Sequence, residues 1–318
     1  MEEPPVGITA RLRPSAIMLA AIMAALAVTV ALAFGGTPSA TAATPGKKID
    51  VVAAENQYGD VAAQVGGAYV RVTSLMSNPG TDPHTFEASV AVAREVGQAG
   101  LVVQNGLGYD SFINSIESAA PSTSRKIVNA QELLRLPDST PNPHLWYDPA
   151  TMQKVASAIA ADLSAIQPAH TAYFSARART FTRSLSAWRR ALASVPENTR
   201  VASTEPVADY LLDAAGARNL TPWSFQAAVM NGTDPSPQDV ADEKTLISQR
   251  RVGALIYNEQ VTDPLTESLI GLAHSRHVPV VGVYETMPQP GYDYQSWMLA
   301  ETSALRKAVM NHTSAEHL

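Results

Sequence analysis

No cysteine occurs anywhere in the 318 residues. That absence excludes disulfides, zinc–thiolate sites, iron–sulfur clusters, cysteine catalysis and a lipid carried on an N-terminal cysteine. Charge is also scarce, at 16% of residues, and no basic run is longer than Arg189-Arg190 or Arg250-Arg251. With a net charge of −6, nucleic acid and anionic membranes are poor partners. No His-Glu-x-x-His pairing is present, and no internal repeat or low-complexity segment stands out beyond the N-terminal region. What is abundant is apolar: 46% of the chain is hydrophobic. A sizeable core is therefore available, for two domains or one large one, and global disorder is excluded.

The N-terminal residues are a different material. Arg11 and Arg13 precede an apolar run from Ala16 to Phe34, followed by "GGTPSATAA" with an A-x-A pattern at Ala40 and Ala42. Residues 1–43 are expected to be an export signal. Their apolar run would also be long enough to remain as an N-terminal membrane anchor.

From residue 44, short apolar runs alternate with helical patterns. "IDVVAAE" (49–55), "YVRVTSLM" (69–76) and "LVVQN" (101–105) read as strands, and "QYGDVAAQVGG" and "ASVAVAREVGQAG" as helices. After Pro196 the rhythm resumes with "RVAST" (200–204), "ALIYN" (254–258) and "VPVVGVY" (278–284). Helices are expected near 206–215, 236–250, 263–275 and 293–310. Strand–helix alternation with strands apolar on both faces predicts an α/β fold of two lobes with mainly parallel sheets. Between them, Phe174, Ala178, Phe181, Leu185, Trp188 and Leu192 recur at spacings of four and three. That stripe predicts one long backbone helix, roughly 39 Å of rod, joining the lobes and limiting their closure. Arginines 177, 179, 183, 189 and 190 are expected on its solvated face. The expected divisions are an N-terminal lobe over 44–167, the linking helix over 168–195 and a C-terminal lobe over 196–318.

In open α/β sheets ligands bind beyond the carboxyl ends of the strands. Four residues stand there. His84 lies in the turn-rich "NPGTDPHTFEAS" (78–89) and His144 in "TPNPHLWYDP". Glu205 follows "RVAST", and Glu285 follows "VPVVGVY". Each has a plainer role open to it: His84 a polar loop residue, His144 packing on Trp146, Glu205 favouring a helix start, Glu285 solvating a loop. Together they would put two imidazoles and two carboxylates at one interlobe cleft. Two carboxylates offset a +2 charge, so the filled site can be buried. The nitrogen and oxygen donors suit manganese, iron or zinc, and four protein donors make a closed binding site rather than an open catalytic one.

The two histidine motifs resemble those of the metal-binding proteins of ABC importers for zinc and manganese, the cluster A-I (cluster 9) solute-binding family. "AENQYGDVAAQVGG", "NGLGYD", "EPVADYLLDAAG", "GTDPSPQDV" and "GVYETMP" carry the likeness in order over roughly 48–310. The resemblance implies two lobes on a helical backbone, with His84, His144, Glu205 and Glu285 as metal ligands. It departs from zinc-type members in having Glu205 where many have a third histidine, which leans toward manganese or iron. A His/Asp-rich loop is absent, and Glu285 stands where Asp is common, leaving its denticity open.

The expected function is an extracytoplasmic metal-capture protein, a monomer and not an enzyme. It would deliver a divalent transition ion, zinc or manganese or iron, to an ABC permease. It would touch the membrane only through that permease or an uncleaved N-terminus. The alternatives are a secreted adhesin or interaction protein using the metal structurally, and a secreted metallohydrolase. Elsewhere, His274 and His277 are expected to decorate a helix C-terminus and Asp148 to cap a helix. Glu55 and Asn56 are placed to orient a histidine.

Overall fold

The computed structural model describes residues 47–78, 86–288 and 290–318. The expected export segment and the loop carrying His84 lie outside the described residues. Pro45–Leu318 form one compact unit. Its strands are β1 (Ile49–Glu55), β2 (Val70–Met76), β3 (Leu101–Gln104), β4 (Lys126–Asn129), β5 (Arg200–Ser203), β6 (Arg218–Asn219), β7 (Ala254–Asn258) and β8 (Val280–Val283). In the first half the helices are α1 (Asn56–Gly66), α2 (Val90–Gln98), α3 (Ser111–Ala119), α4 (Ala130–Leu134) and α5 (Thr151–Ile166). There follow α6 (Thr171–Ser184), α7 (Ser186–Leu192), α8 (Asp209–Ala214), α9 (Trp223–Met230), α10 (Pro237–Ser248), α11 (Pro264–Ser275) and α12 (Tyr294–Asn311).

The strands form two four-stranded sheets, ordered β2-β1-β3-β4 and β6-β5-β7-β8. Every strand pairing within them is parallel. The α/β class and the parallel sheets are as the sequence predicts. Val51, Val52, Leu101, Val102 and Val103 are buried on both faces of the first sheet, and Ala254, Leu255, Ile256, Val280 and Val281 in the second. This is the pattern of a sheet covered by helices on both sides.

The helical stripe is buried at each expected position, from Phe174 through Leu192. The rod, however, comes as two consecutive helices, α6 and α7, interrupted at Leu185. The Ser184 hydroxyl donates to the Phe181 carbonyl at 2.7 Å, and such back-bonding competes with the helical ladder. Leu185 keeps a right-handed helical conformation, so the stripe continues in phase across the break. α6 packs on α1 and α5, whereas α7 packs on α12. There Trp188 Nε1 donates to Thr302 Oγ1 at 3.0 Å. Arg177, expected only to be solvated, donates through Nε to the Gln64 carbonyl at 2.7 Å and so ties α6 to α1.

Helix starts follow local chemistry. Asp263 with Thr266 and Asp293 with Ser296 form capping boxes at α11 and α12, satisfying amides that a first turn leaves unpaired. Asp148 accepts from the Ala150 amide at 2.9 Å and from Thr151 Oγ1 at 3.2 Å, so it does organise the entry to α5. Among the described residues no helix is long and apolar enough to cross a membrane.

Candidate functional site

His144 lies in the segment between α4 and α5 and is fully buried. Its ring lies edge-on to Trp146, with centroids 5.4 Å apart, so the packing role open to it in sequence is real. A second role is built in beside it. Asn142 Oδ1 accepts from the His144 backbone amide at 3.0 Å and contacts ring Nδ1 at 2.7 Å. Asn142 Nδ2 donates to the Pro206 carbonyl at 2.8 Å. The backbone amide identifies that Asn142 atom as the oxygen, so Nδ1 carries the proton and Nε2 is the nitrogen left for other chemistry. Nε2 faces Glu285 Oε2 at 3.2 Å.

Glu285 is fully buried just beyond β8. Its amide donates to Gln260 Oε1 at 2.7 Å, and its carbonyl accepts from Gln57 Nε2 at 3.1 Å. Oε2 accepts from Tyr109 Oη at 2.8 Å and Oε1 from Asn258 Nδ2 at 2.8 Å. The plainer role open to it in sequence was solvating a loop, yet this carboxylate is held from both halves of the chain. Glu205, 1% exposed, lies just beyond β5 and accepts at Oε1 from the same Asn258 Nδ2 at 3.0 Å. His144 and Glu285 therefore adjoin, and Glu205 joins them through an amide. Among the described residues no three His, Asp or Glu side chains form a group able to hold a metal ion; His84 is not among those residues.

The frame around these side chains is polar and largely paired. Asn105, at the end of β3, accepts from Tyr58 Oη at 2.7 Å and donates to the Pro143 carbonyl at 2.8 Å, which sets the residue before His144. Asp110 accepts from the amides of Asn105 and Gly106, and burial nevertheless raises its pKa to about 6. Gly106 adopts φ +85, and a Cβ there would meet Asn129 Oδ1 and Gln131 Cβ at 2.7 Å, so this turn requires glycine. Glu55 stands beside Asp110; burial and then that neighbour push its pKa well up. Asn56 bonds the backbone of Met287 in both directions, at 2.8 and 2.9 Å, and so braces the Glu285 loop. His274 pairs with Glu316 at 2.9 Å in the last turn of α11. His277 follows that helix and precedes β8, at the opposite end of the strand from Glu285.

Asn142, Tyr109, Asn258 and Gln260 were not singled out in sequence. Their one signal is position, since each sits within a few residues of a strand end or a predicted ligand.

Comparison with known proteins gives a consistent picture. Residues 51–308 match the family described as zinc-uptake complex component A, periplasmic. The manganese-binding lipoprotein MntA of Bacillus subtilis is 26% identical over 281 residues, covering 81% of this chain and 87% of that protein. The zinc-binding protein TroA of Treponema pallidum is 26% identical over 265 residues, with 79% and 82% covered. In structure, the periplasmic zinc-binding protein TroA superposes with a TM-score of 0.68 at 22% identity, covering 84% of this chain and 99% of that one. The solute-binding protein FpvC of Pseudomonas aeruginosa, solved with Mn2+, gives a TM-score of 0.68 at 20% identity, with 83% and 99% covered. Those structures share the fold, two parallel sheets with their helices. On its sequence, the chain belongs to the family of periplasmic zinc-uptake complex component A.

Proposed function

We propose that this chain is the extracytoplasmic solute-binding protein of a metal ABC importer, capturing one divalent transition ion as cargo and handing it to the permease. The ligands in this reading are His84, His144, Glu205 and Glu285. The observation that carries it is the pairing of His144 Nε2 with Glu285 Oε2 at 3.2 Å, both side chains fully buried. Two donors about 2.1 Å from one ion at a tetrahedral angle stand about 3.4 Å apart. Asn142 holds the imidazole so that Nε2 is the donor turned to that point, as outer partners of metal-bound histidines do. Two carboxylates then balance the ion's charge in a buried setting.

Zinc and manganese are each named for a relative, and both suit a nitrogen–oxygen donor set; iron does as well. The family consists of solute-binding proteins, which are not enzymes. Four protein donors leave no open coordination position, in keeping with capture rather than hydrolysis. In the same reading residues 1–43 direct export, with 44–167 and 196–318 as the two lobes and 168–195 as the backbone between them. The protein acts as a monomer that meets the membrane through the permease or an uncleaved N-terminus.

Ion binding should stabilise the fold, because the donors come from segments far apart in the chain. At a zinc or manganese concentration a hundredfold above the dissociation constant the gain is about 2.7 kcal/mol. Thermal unfolding of chelator-stripped protein with and without each metal measures it. A midpoint that does not move with either metal would count against the assignment.

A further inference from the structure

The second sheet has β7 between β5 and β8. In register, Ser203 stands beside Ile256, and Asn258 beside Val283. Two residues past Ser203 is Glu205, two past Ile256 is Asn258, and two past Val283 is Glu285. Strand order therefore sets the last residue of the central strand between the continuations of its two neighbours, with Glu205 level with Asn258 and Glu285 two residues further along. Asn258 is 1% exposed. Its backbone amide donates to Thr204 Oγ1 at 3.2 Å, and its Oδ1 accepts from the Gln260 amide at 3.0 Å. A backbone N–H can only donate, so that contact identifies Oδ1 and leaves the NH2 group facing the carboxylates. One N–H goes to Glu205 Oε1 at 3.0 Å and the other to Glu285 Oε1 at 2.8 Å.

We propose that Asn258 determines metal preference by fixing how many oxygens the two carboxylates offer the ion. The inference rests on the ligand set proposed above. An amide nitrogen has no lone pair for a metal, so Asn258 is a positioning residue and not a ligand. By holding Oε1 of each carboxylate it turns Oε2 toward the ion. For Glu285 that is the oxygen facing His144 Nε2. Binding through both oxygens would rotate each carboxylate and draw Oε1 away from the shared Asn258 amide, which costs free energy as that buried hydrogen bond is lengthened. Each carboxylate thus supplies one oxygen, and the site presents four donors, two nitrogen and two oxygen. Zinc is satisfied by four; manganese favours six, mainly oxygen. Asn258 therefore biases the pocket toward zinc although two of its four donors are carboxylates.

The test is X-ray absorption on the full chain loaded with zinc or with manganese, paired with competition titrations, for the wild type and for Asn258→Ala. The expected wild-type result is four-coordinate zinc and a manganese coordination number well below six. In Asn258→Ala the manganese coordination number should rise, and the zinc-to-manganese affinity ratio should fall about tenfold, within the range for outer-sphere changes. Six-coordinate manganese in the wild type would overturn the proposal, with no variant required. So would an unchanged ratio in a folded Asn258→Ala. Asn258→Leu removes the donor at nearly the same volume without adding an oxygen; should the alanine variant not fold, the same rise in manganese coordination is expected there. No metal bound by the wild type would instead overturn the ligand set itself.

Discussion

Replacing His144 by alanine is expected to weaken zinc binding by roughly a thousandfold, the scale of ~4 kcal/mol for stripping one partner from a buried charged cluster. The imidazole is not merely near the site. Its Nδ1 is occupied by Asn142 at 2.7 Å and its Nε2 stands 3.2 Å from Glu285, so alanine removes a donor that is already oriented. It also leaves a void beside Trp146, which is why folding is followed in parallel by circular dichroism. Titration against a chelating dye reads the affinity. A folded His144→Ala that binds within threefold of the wild type would mean that the ring serves only to pack on Trp146.

The second large effect concerns proton linkage on α10, away from the site. Glu243 on α10 is fully buried next to Leu246 and Ile247, and burial lifts its pKa from 4.5 to about 8. The folded protein thus holds a proton that the unfolded chain releases near pH 4.5. The corresponding stability is present in full below that pH. It is lost as pH rises through about 8, because there the folded form binds more protons than the unfolded one. A shift of that size is worth about 5 kcal/mol. Glu243→Gln keeps the shape without the charge and should remove this part of the decline. Urea unfolding of metal-free protein at pH 5 and pH 8 measures it. The wild type should lose several kcal/mol more than the variant between the two pH values. Equal losses would show that Glu243 does not carry the linkage. Glu301 on α12, likewise raised to about 8 by burial, contributes the same way to both proteins and cancels in the comparison.

Much of the fold was readable because β1, β7 and β8 carry Val, Ile, Leu or Ala at most of their positions between turn signals. The helix stripe from Phe174 to Leu192 kept its phase even across Leu185. The break itself was not readable, since it depends on where the Ser184 hydroxyl points, and serine is common on helix faces. β4 and α3 were passed over for lack of contrast: β4 has two exposed residues among its four. β6 has only two residues, too few for any periodicity.

Of the residues proposed as ligands, His144, Glu205 and Glu285 drew notice in the sequence because each follows a strand or precedes a helix at an unusual point for its chemistry. Asn258 did not. "ALIYN" ends a buried run with an amide, which reads as an ordinary strand end until β7 is known to lie between β5 and β8. Asn142 was hidden in the same way, two residues from the histidine it orients, in a stretch where Asn-Pro looks like turn chemistry alone. Residues that hold ligands act across strand order and loop approach, and those are tertiary properties with no sequence period.

The central claim, one transition ion held between imidazoles and carboxylates, is tested most directly by elemental analysis. The full chain is dialysed against equal zinc and manganese and its bound metal counted, beside the double variant His84→Ala/His144→Ala. The account predicts one ion per wild-type chain and almost none in the variant. A wild type without bound metal, or a folded variant that retains it, would contradict the account.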